Sequence, residues 1–483
     1  MAFSKQPVNS TYTTKTVSFA RELAGRGPTR AKDAYLQNCY IEMQKNKEIK
    51  DNELVIVKRA GAIEQIPAAG SNGIRGVYLW KDQSKLFVAT DDDIYVYNST
   101  TLAAITTLTA VFGSIGGPVG FNEFLYEDTT VKLIATDGAT LVTIDTSNTV
   151  VAATSPPAHL PIPVFLNGTL YIVGTDSSTI YGSASNDPLD WSDSGNAIDA
   201  EMQADKILYI SLLNNYIVAF GSRTIEYFYD AANADGSPLS RNDSPIKSVG
   251  YLGGFAKHGN KIYFIGETSE SVADVYLLED FKISSLGNEA VRRNFAHGDD
   301  GPVAGITGFN GHDFYVVSSS DTTFVLEIET KLWSTWVTAG GSYFPMTNSV
   351  PQSTASLPYL NFFTLVGSQA IFGFSTDVHT DDGDDFTVVM VSDNEFFDSY
   401  NQKVCNRLSI YADKPTESLE VLMQTSDNDY QTWSTGQSID LFQELPAKYR
   451  WGQFRRRAHK LTYTGDQPLR VYQIELDLNM GTS

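Results

Sequence analysis

The feature that most constrains this chain is a hairpin that keeps returning. "KLFVATDDDIYVYN" (85–98) reads as a strand, an acidic turn and a strand, and "KLIATDGATLVTID" (132–145) repeats it closely. The same layout follows at 169–184, 215–230, 261–280 and 313–329, and in weaker form at 365–377. Strand centres fall at Val88, Ile134, Ile172, Val218, Phe264 and Val316, in steps of 46, 38, 46, 46 and 52 residues. Short apolar runs bounded by turn residues mark strands. A hairpin alone cannot bury both of its faces, so a period of roughly 40–50 residues reads as blades arranged radially. That arrangement also protects strand edges. The predicted fold is therefore all-β, a β-propeller of six to seven blades. Unrelated hairpins in β-sandwiches are the competing reading, and the near-identity of the first two units speaks against it.

After about residue 386 the rhythm changes. "FTVVMVSD", "RLSIYAD", "SLEVLMQTSD", "RAHKLTYTG" and "LRVYQIELDL" are longer strands with wider loops, the pattern of a separate C-terminal antiparallel β-sandwich. "DVHTDDGDD" (377–385) reads as the linker. The expected organisation is an N-terminal extension with the first strands (1–60), a propeller (61–380) and the sandwich (381–483). Helical periodicity is scarce; the best candidate is 33–46, "DAYLQNCYIEMQKN", although Tyr, Cys and Asn are poor helix formers.

The chain is acidic, with net charge −22, but unevenly so. Residues 1–60 carry +5, residues 440–483 carry +2, and the middle carries −29. Such a body repels phosphate, which argues against a DNA-gripping surface there; acidity that only keeps the protein soluble is the alternative. Cys39 and Cys405 form neither a disulfide framework nor a CxxC motif, which suits a reducing compartment during synthesis. The first fifteen residues lack the apolar core of a signal peptide, and no run reaches the ~18 apolar residues of a membrane span.

Catalytic signatures are absent: no GxSxG, GxxxxGK[ST], HExxH or paired CxxC occurs. Six scattered histidines do not suggest zinc, and no cofactor is expected. "TDDD" (90–93) and "DDGDD" (381–385) do not fit an EF-hand loop and read as solvated turns.

Against this background "WGQFRRRAHKLTYTG" (451–465) stands out. In a strand, Arg455 and Arg457 would face one side and Arg456 the other. Arginine pairs bidentately with carboxylates, and the acidic body of a neighbouring copy would offer many. Arg455, Arg456, Arg457 and Lys460 are thus candidate interface residues toward the acidic flank of a neighbouring copy. Phosphate contact with DNA is the competing reading.

Several stretches, taken in order, resemble the packaged-DNA stabilisation proteins of short-tailed phages, also called tail hub or nozzle proteins. "QNCYIE" is similar to the family's opening element, at Asn38, Tyr40 and Glu42. A Ser-x-x-Asp-Pro-x-x-Trp element corresponds to Ser185, Asp187, Pro188 and Trp191, one residue short before Asp-Pro. An Ala-Glu-x-x-x-Asp element falls at Ala200, Glu201 and Asp205, and a Gly-Ser-x-Thr-Ile-Glu strand at Gly221 to Glu226. A Gly-His-x-x-Tyr blade ending in Trp falls at Gly311, His312, Tyr315 and Trp333. The arginine-rich segment looks like the family's C-terminal end, so the resemblance spans about residues 28–478. Glu327 stands where the late blade usually has Asp, Lys331 where Gly is common, and the stretch after Tyr227 lacks the family's early glycine.

The resemblance implies a non-enzymatic virion protein, made in the bacterial host cytoplasm. It implies a hexameric ring below the portal and its adaptor that retains packaged DNA and lets it pass without sequence-specific binding. It also implies docking of tail fibres, spikes or a needle. From the residues alone, Trp191, Trp333 and Trp336 read as core aromatics and Asp187-Pro188 as a turn. Glu226 reads as a surface partner of Arg223, and His312 as a hydrogen-bonded blade-entry residue. A carbohydrate-binding or carbohydrate-cleaving propeller is the alternative function, since a carboxylate pair cannot be located from sequence.

Overall fold

The structure is a computed structural model. It describes residues 13–17, 19, 34–44, 53–67, 69–127, 129–193, 195–200, 202, 205–233, 235–296, 301–351 and 359–481. Statements of absence below concern these described residues.

Seven four-stranded antiparallel blades follow one another, six of them separate sheets and one, blade 6, the end of a nine-stranded sheet. Blade 1 consists of Gly76–Trp80, Lys85–Thr90, Asp93–Asn98 and Ala104–Leu108. Blades 2 to 6 begin with the strands Gly120–Leu125, Val164–Leu166, Ile207–Leu213, Gly250–His258 and Val303–Phe309. Blade 7 consists of Met346–Pro351, Tyr359–Leu365 and Ile371–Ser375, and takes its fourth strand, Gly61–Ile66, from before blade 1. The first strand of blade 7 lies against the first strand of blade 1, so the circle closes. This is a seven-bladed propeller with a fold-back closure.

The sequence repeat is the second strand of each blade, and all six predicted centres are fully buried. Alternation sends neighbouring side chains into different cores. Val88 packs with Phe362 and Ile371 of blade 7, whereas Phe87 and Ala89 pack with Leu133 and Ala135 of blade 2. A strand sandwiched between two blades has no solvent face, which is why these runs are apolar throughout. Blade 6 opens on the two-residue turn Asn310-Gly311, with φ of 54° and 79°. That is the Asn-Gly hairpin turn whose twist matches the flanking strands.

The second unit is a sandwich built from both ends of the chain. One sheet places Cys39–Gln44, Glu53–Lys58, Arg470–Met480, Lys403–Ala412 and Ala447–Phe454 side by side, with Thr13–Val17 also paired to Arg470–Met480. The other runs Tyr35–Gln37, Thr387–Val391, Ala458–Thr464, Glu420–Ser426 and Gln437–Asp440. It continues into blade 6 through a parallel pairing of Gln37 with Thr335.

The expectation of a helix at 33–46 is corrected: the described part of this segment is two strands. Asn38 sits at φ 55°, which a right-handed helix cannot accommodate. Beyond it, Cys39 and Ile41 enter the sandwich core while Tyr40 packs edge-on against Phe309 and Phe314 of blade 6. No helix is long and apolar enough to cross a membrane among the described residues.

The joint between the two units is a buried arginine. Arg59 forks onto Asp381 at 2.8 and 2.6 Å, donates to Asn38 Oδ1 at 3.1 Å and to the Val337 carbonyl at 2.9 Å. Its guanidinium also lies 3.8 Å from the centre of the Phe386 ring. Asp381, expected in a solvated turn, is thus a structural anion. Beside it, buried Lys58 donates to the Gly465 and Gln467 carbonyls over Phe386 and Tyr463. Burial, helped by the neighbouring Arg59, pulls its ammonium down to about 8.

Candidate functional site

The arginine triplet is not in a strand. Ala447–Phe454 ends just before it, and the three residues form the turn into Ala458–Thr464. The alternation expected for Arg455, Arg456 and Arg457 is therefore corrected: each turns to a different partner. Arg457 is buried and forks onto Asp427 at 2.6 and 2.8 Å, while also donating to the carbonyls of Trp451 and Gln453. Arg456 pairs with Asp429 at 2.5 Å. Exposed Arg455 donates to the Tyr400 carbonyl at 2.8 Å. Lys460 holds its ammonium 4.6 Å from the centre of the Trp433 ring. Buried Lys403 adds bonds to the carbonyls of Ser399, Asn401 and Arg455.

These cations fasten two loops, 392–402 and 427–434, at one end of the sandwich. Asn394 ties the loops together by donating to Asp429 at 2.8 Å. Each loop contains two consecutive non-glycine residues in the left-handed region: Phe397 and Asp398 (φ 49° and 59°), and Asp429 and Tyr430 (φ 57° and 62°). Such conformations persist only where surrounding contacts impose them. The result is a braced tip carrying exposed Phe396 and Tyr400, whose rings stack 5.2 Å apart at 8°. His459 lies beneath it, fully buried, with neither ring nitrogen hydrogen-bonded. Burial, with Arg457 nearby, pushes its imidazole down to about 3.

The motif residues act as fasteners at separate points. Asn38 donates to the Thr387 carbonyl and accepts from Arg59 and from Val337 N. Tyr40 seats the sandwich on blade 6, and Glu42 pairs with Arg470 at 2.8 Å. Asp187 accepts from Leu189 N in an Asx turn beside Pro188, and the half-buried Trp191 donates to the Pro188 carbonyl at 3.0 Å. Asp205 accepts from Arg223 N, Thr224 N and the Thr224 hydroxyl. Gly221 fits there because a Cβ would collide with that carboxylate. Glu201 lies outside the described residues.

Glu226, expected on the surface beside Arg223, is corrected. It is buried, accepts from Met202 N at 3.0 Å and faces Arg241 at 3.5 Å, and burial raises its carboxyl. His312 follows Gly311 and meets Glu327 at 3.3 Å, a contact that raises the imidazole. Trp333 is buried and donates to the Leu286 carbonyl at 2.9 Å, stitching blade 6 to blade 5.

The first strands of the blades enclose two adjoining cavities of about 700 and 490 Å³ that share Tyr209 and Lys257. Tyr209 stacks on Phe255 at 4.1 Å, and Tyr78 donates to Glu123 at 2.8 Å. Among the described residues no group of three His, Cys, Asp or Glu side chains could hold a metal ion. The motif residues do not converge on one centre. What the arrangement offers is cross-bracing of a large all-β scaffold.

That scaffold is a β-propeller whose motif residues serve as braces. A family profile described as "Bacteriophage P22 Gp10, beta-propeller" matches residues 48–343, from the strand Glu53–Lys58 through blade 6. The chain belongs to this phage DNA-stabilisation family. No curated protein matches it. Similar solved structures include a catalytically inactive virginiamycin B lyase from Staphylococcus aureus with quinupristin: 12% identity, 65% of this chain, 97% of that chain, TM-score 0.43. Another is the N-terminal domain of Nup159: 10% identity, 71% of this chain, 99% of that chain, TM-score 0.41. Scores this low carry no argument about function.

Proposed function

We propose that this chain is the tail hub, or nozzle, of a short-tailed phage. Six copies form a ring below the portal and its adaptor, close the channel on packaged DNA, conduct DNA at ejection and dock the tail appendages. The chain is made in the host cytoplasm and incorporated into the virion, and it performs no catalysis. The observation that carries this reading is the family match across residues 48–343. The charge of the propeller is in keeping with it: residues 61–375 hold 33 acidic and 14 basic side chains, a net of −19. Such a surface lets DNA pass without holding it, because phosphate contacts would add salt-sensitive affinity. The test is a count of full and empty heads purified from a mutant lacking the protein. Packaged heads that lose their DNA are the expected outcome; stable full heads would end the retention role.

A further inference from the structure

The strand Ala447–Phe454 is an outer edge of its sheet. From 445 to 465 the chain carries six basic residues and no acidic one. Arg456 and Arg457 are neutralised inside the chain, and Lys460 sits on Trp433. Lys448, Arg450 and Arg455 have no carboxylate within 4 Å among the described residues. Tyr449, between the first two, is 65% exposed, and Tyr400, which holds Arg455 through its carbonyl, is 64% exposed. Lys448, Tyr449, Arg450 and Arg455 thus follow one another over about 20 Å along an edge strand and the turn after it, which reaches the Phe396–Tyr400 loop. Tyr and Arg on a rigid support are the side chains that dominate binding energy at protein interfaces.

The edge does not invite strand addition. Arg450 and Gly452 have φ of 57° and 87°, which breaks the flat hydrogen-bonding edge. Recognition there runs through side chains, so the complement must be an acidic surface with an apolar recess. The propeller supplies one. A depression of about 480 Å³ lies beside blades 1 and 7, lined by Ile115 and Val366, which are 62% and 53% exposed, and by the buried Arg75. The partly exposed acidic turn Asp91-Asp92-Asp93 borders it, with Asp91 accepting from Ser71 N and from the Asn72 side chain.

We infer that the basic, aromatic edge of the sandwich docks on the propeller of a second copy, at this acidic-rimmed depression. The contact is heterologous, so it propagates head to tail and closes a ring where the rotation allows. Nucleic acid fits the edge less well. Only three of its cations lack a carboxylate partner among the described residues, and the propeller's net −19 would repel a phosphate backbone. The inference rests on the reading that the chain assembles with copies of itself in the virion.

The test places p-benzoylphenylalanine at Tyr449 in particles, followed by irradiation and mass spectrometry of crosslinked peptides. The expected product is a dimer of this chain with the link in residues 71–118 or 347–367. Arg450→Glu with Arg455→Glu should lower its yield at least about fivefold, the equivalent of roughly 1 kcal/mol. A link to DNA, to another virion protein or to a different part of the second copy overturns the inference, as does no link. If the chain is absent from particles, the virion reading fails by itself. The same crosslinking on concentrated purified chain then decides the contact.

Discussion

His459 gives the sandwich a defined weakness to acid. Its imidazole is enclosed, has no hydrogen-bond partner and lies near the Arg457 guanidinium, which together hold it at about 3, against 6.5 in an open chain. A histidine lowered on folding stays neutral in the native state while the unfolded chain takes up a proton. The stability is therefore complete above pH 6.5 and is lost as pH falls toward 3. At pH 5 the difference is about 1.5 pK units, or roughly 2 kcal/mol, from this one side chain. Other titrating groups are common to wild type and a His459→Leu variant, so their effects cancel in the comparison. The assay is urea unfolding of both proteins at pH 7.5 and pH 5, followed by tryptophan fluorescence and by amide exchange in Ala458–Thr464. Wild type should lose about 2 kcal/mol more than the variant between the two pH values. Equal losses would refute the reasoning, because they would mean that His459 is already protonated in the fold or that its site admits water.

Three further outcomes follow from the contacts. Arg457→Ala should destabilise the sandwich by about 3 kcal/mol, the low end for breaking a buried pair because Asp427 is half exposed; chemical denaturation measures it, and a loss under 1 kcal/mol would mark the pair as a surface bridge. Gly221→Ala should cost about 1–3 kcal/mol by forcing Asp205 off the turn it caps, read as a drop in melting temperature. Removing residues 470–483 should unfold the sandwich, whose sheet pairs through that strand, yet leave a protease-resistant propeller, because Gly61–Ile66 closes blade 7. Loss of both units together would show that they fold as one.

The propeller was readable because its second strands repeat and are buried on both faces, from Val88 to Val316. The seventh blade was faint for a physical reason: its outer strand precedes blade 1, and Gly61 pairs with Ser375 across more than three hundred residues. No local pattern reports such a pairing. The same burial misled the reading of Glu226. From sequence it reads as a surface partner of Arg223, but the strand Ile225–Asp230 buries its first four residues, and the carboxylate meets Arg241 instead. Asn38 is a third case. Its left-handed backbone turns an apparent helix into two strands, and its partners Arg59, Val337 and Thr387 lie far off in sequence.

The arginine triplet shows how an acidic chain distributes its few cations. Lys58, Arg59, Arg75, Lys403 and Arg457 are buried, and all five donate to backbone carbonyls that loops and joints would otherwise leave unsatisfied. Arg457 does so at Trp451, while its fork holds Asp427. A buried cation with carbonyl and carboxylate partners fixes geometry, because removing it exposes several unpaired groups at once. Interior bracing therefore accounts for much of the positive charge that composition alone would assign to binding. At the sandwich edge Arg455 follows that scheme through the Tyr400 carbonyl, whereas Lys448 and Arg450 stand apart from it. They flank exposed Tyr449 on the strand Ala447–Phe454, which runs into the turn where Arg455 holds the Tyr400 carbonyl of the braced loop.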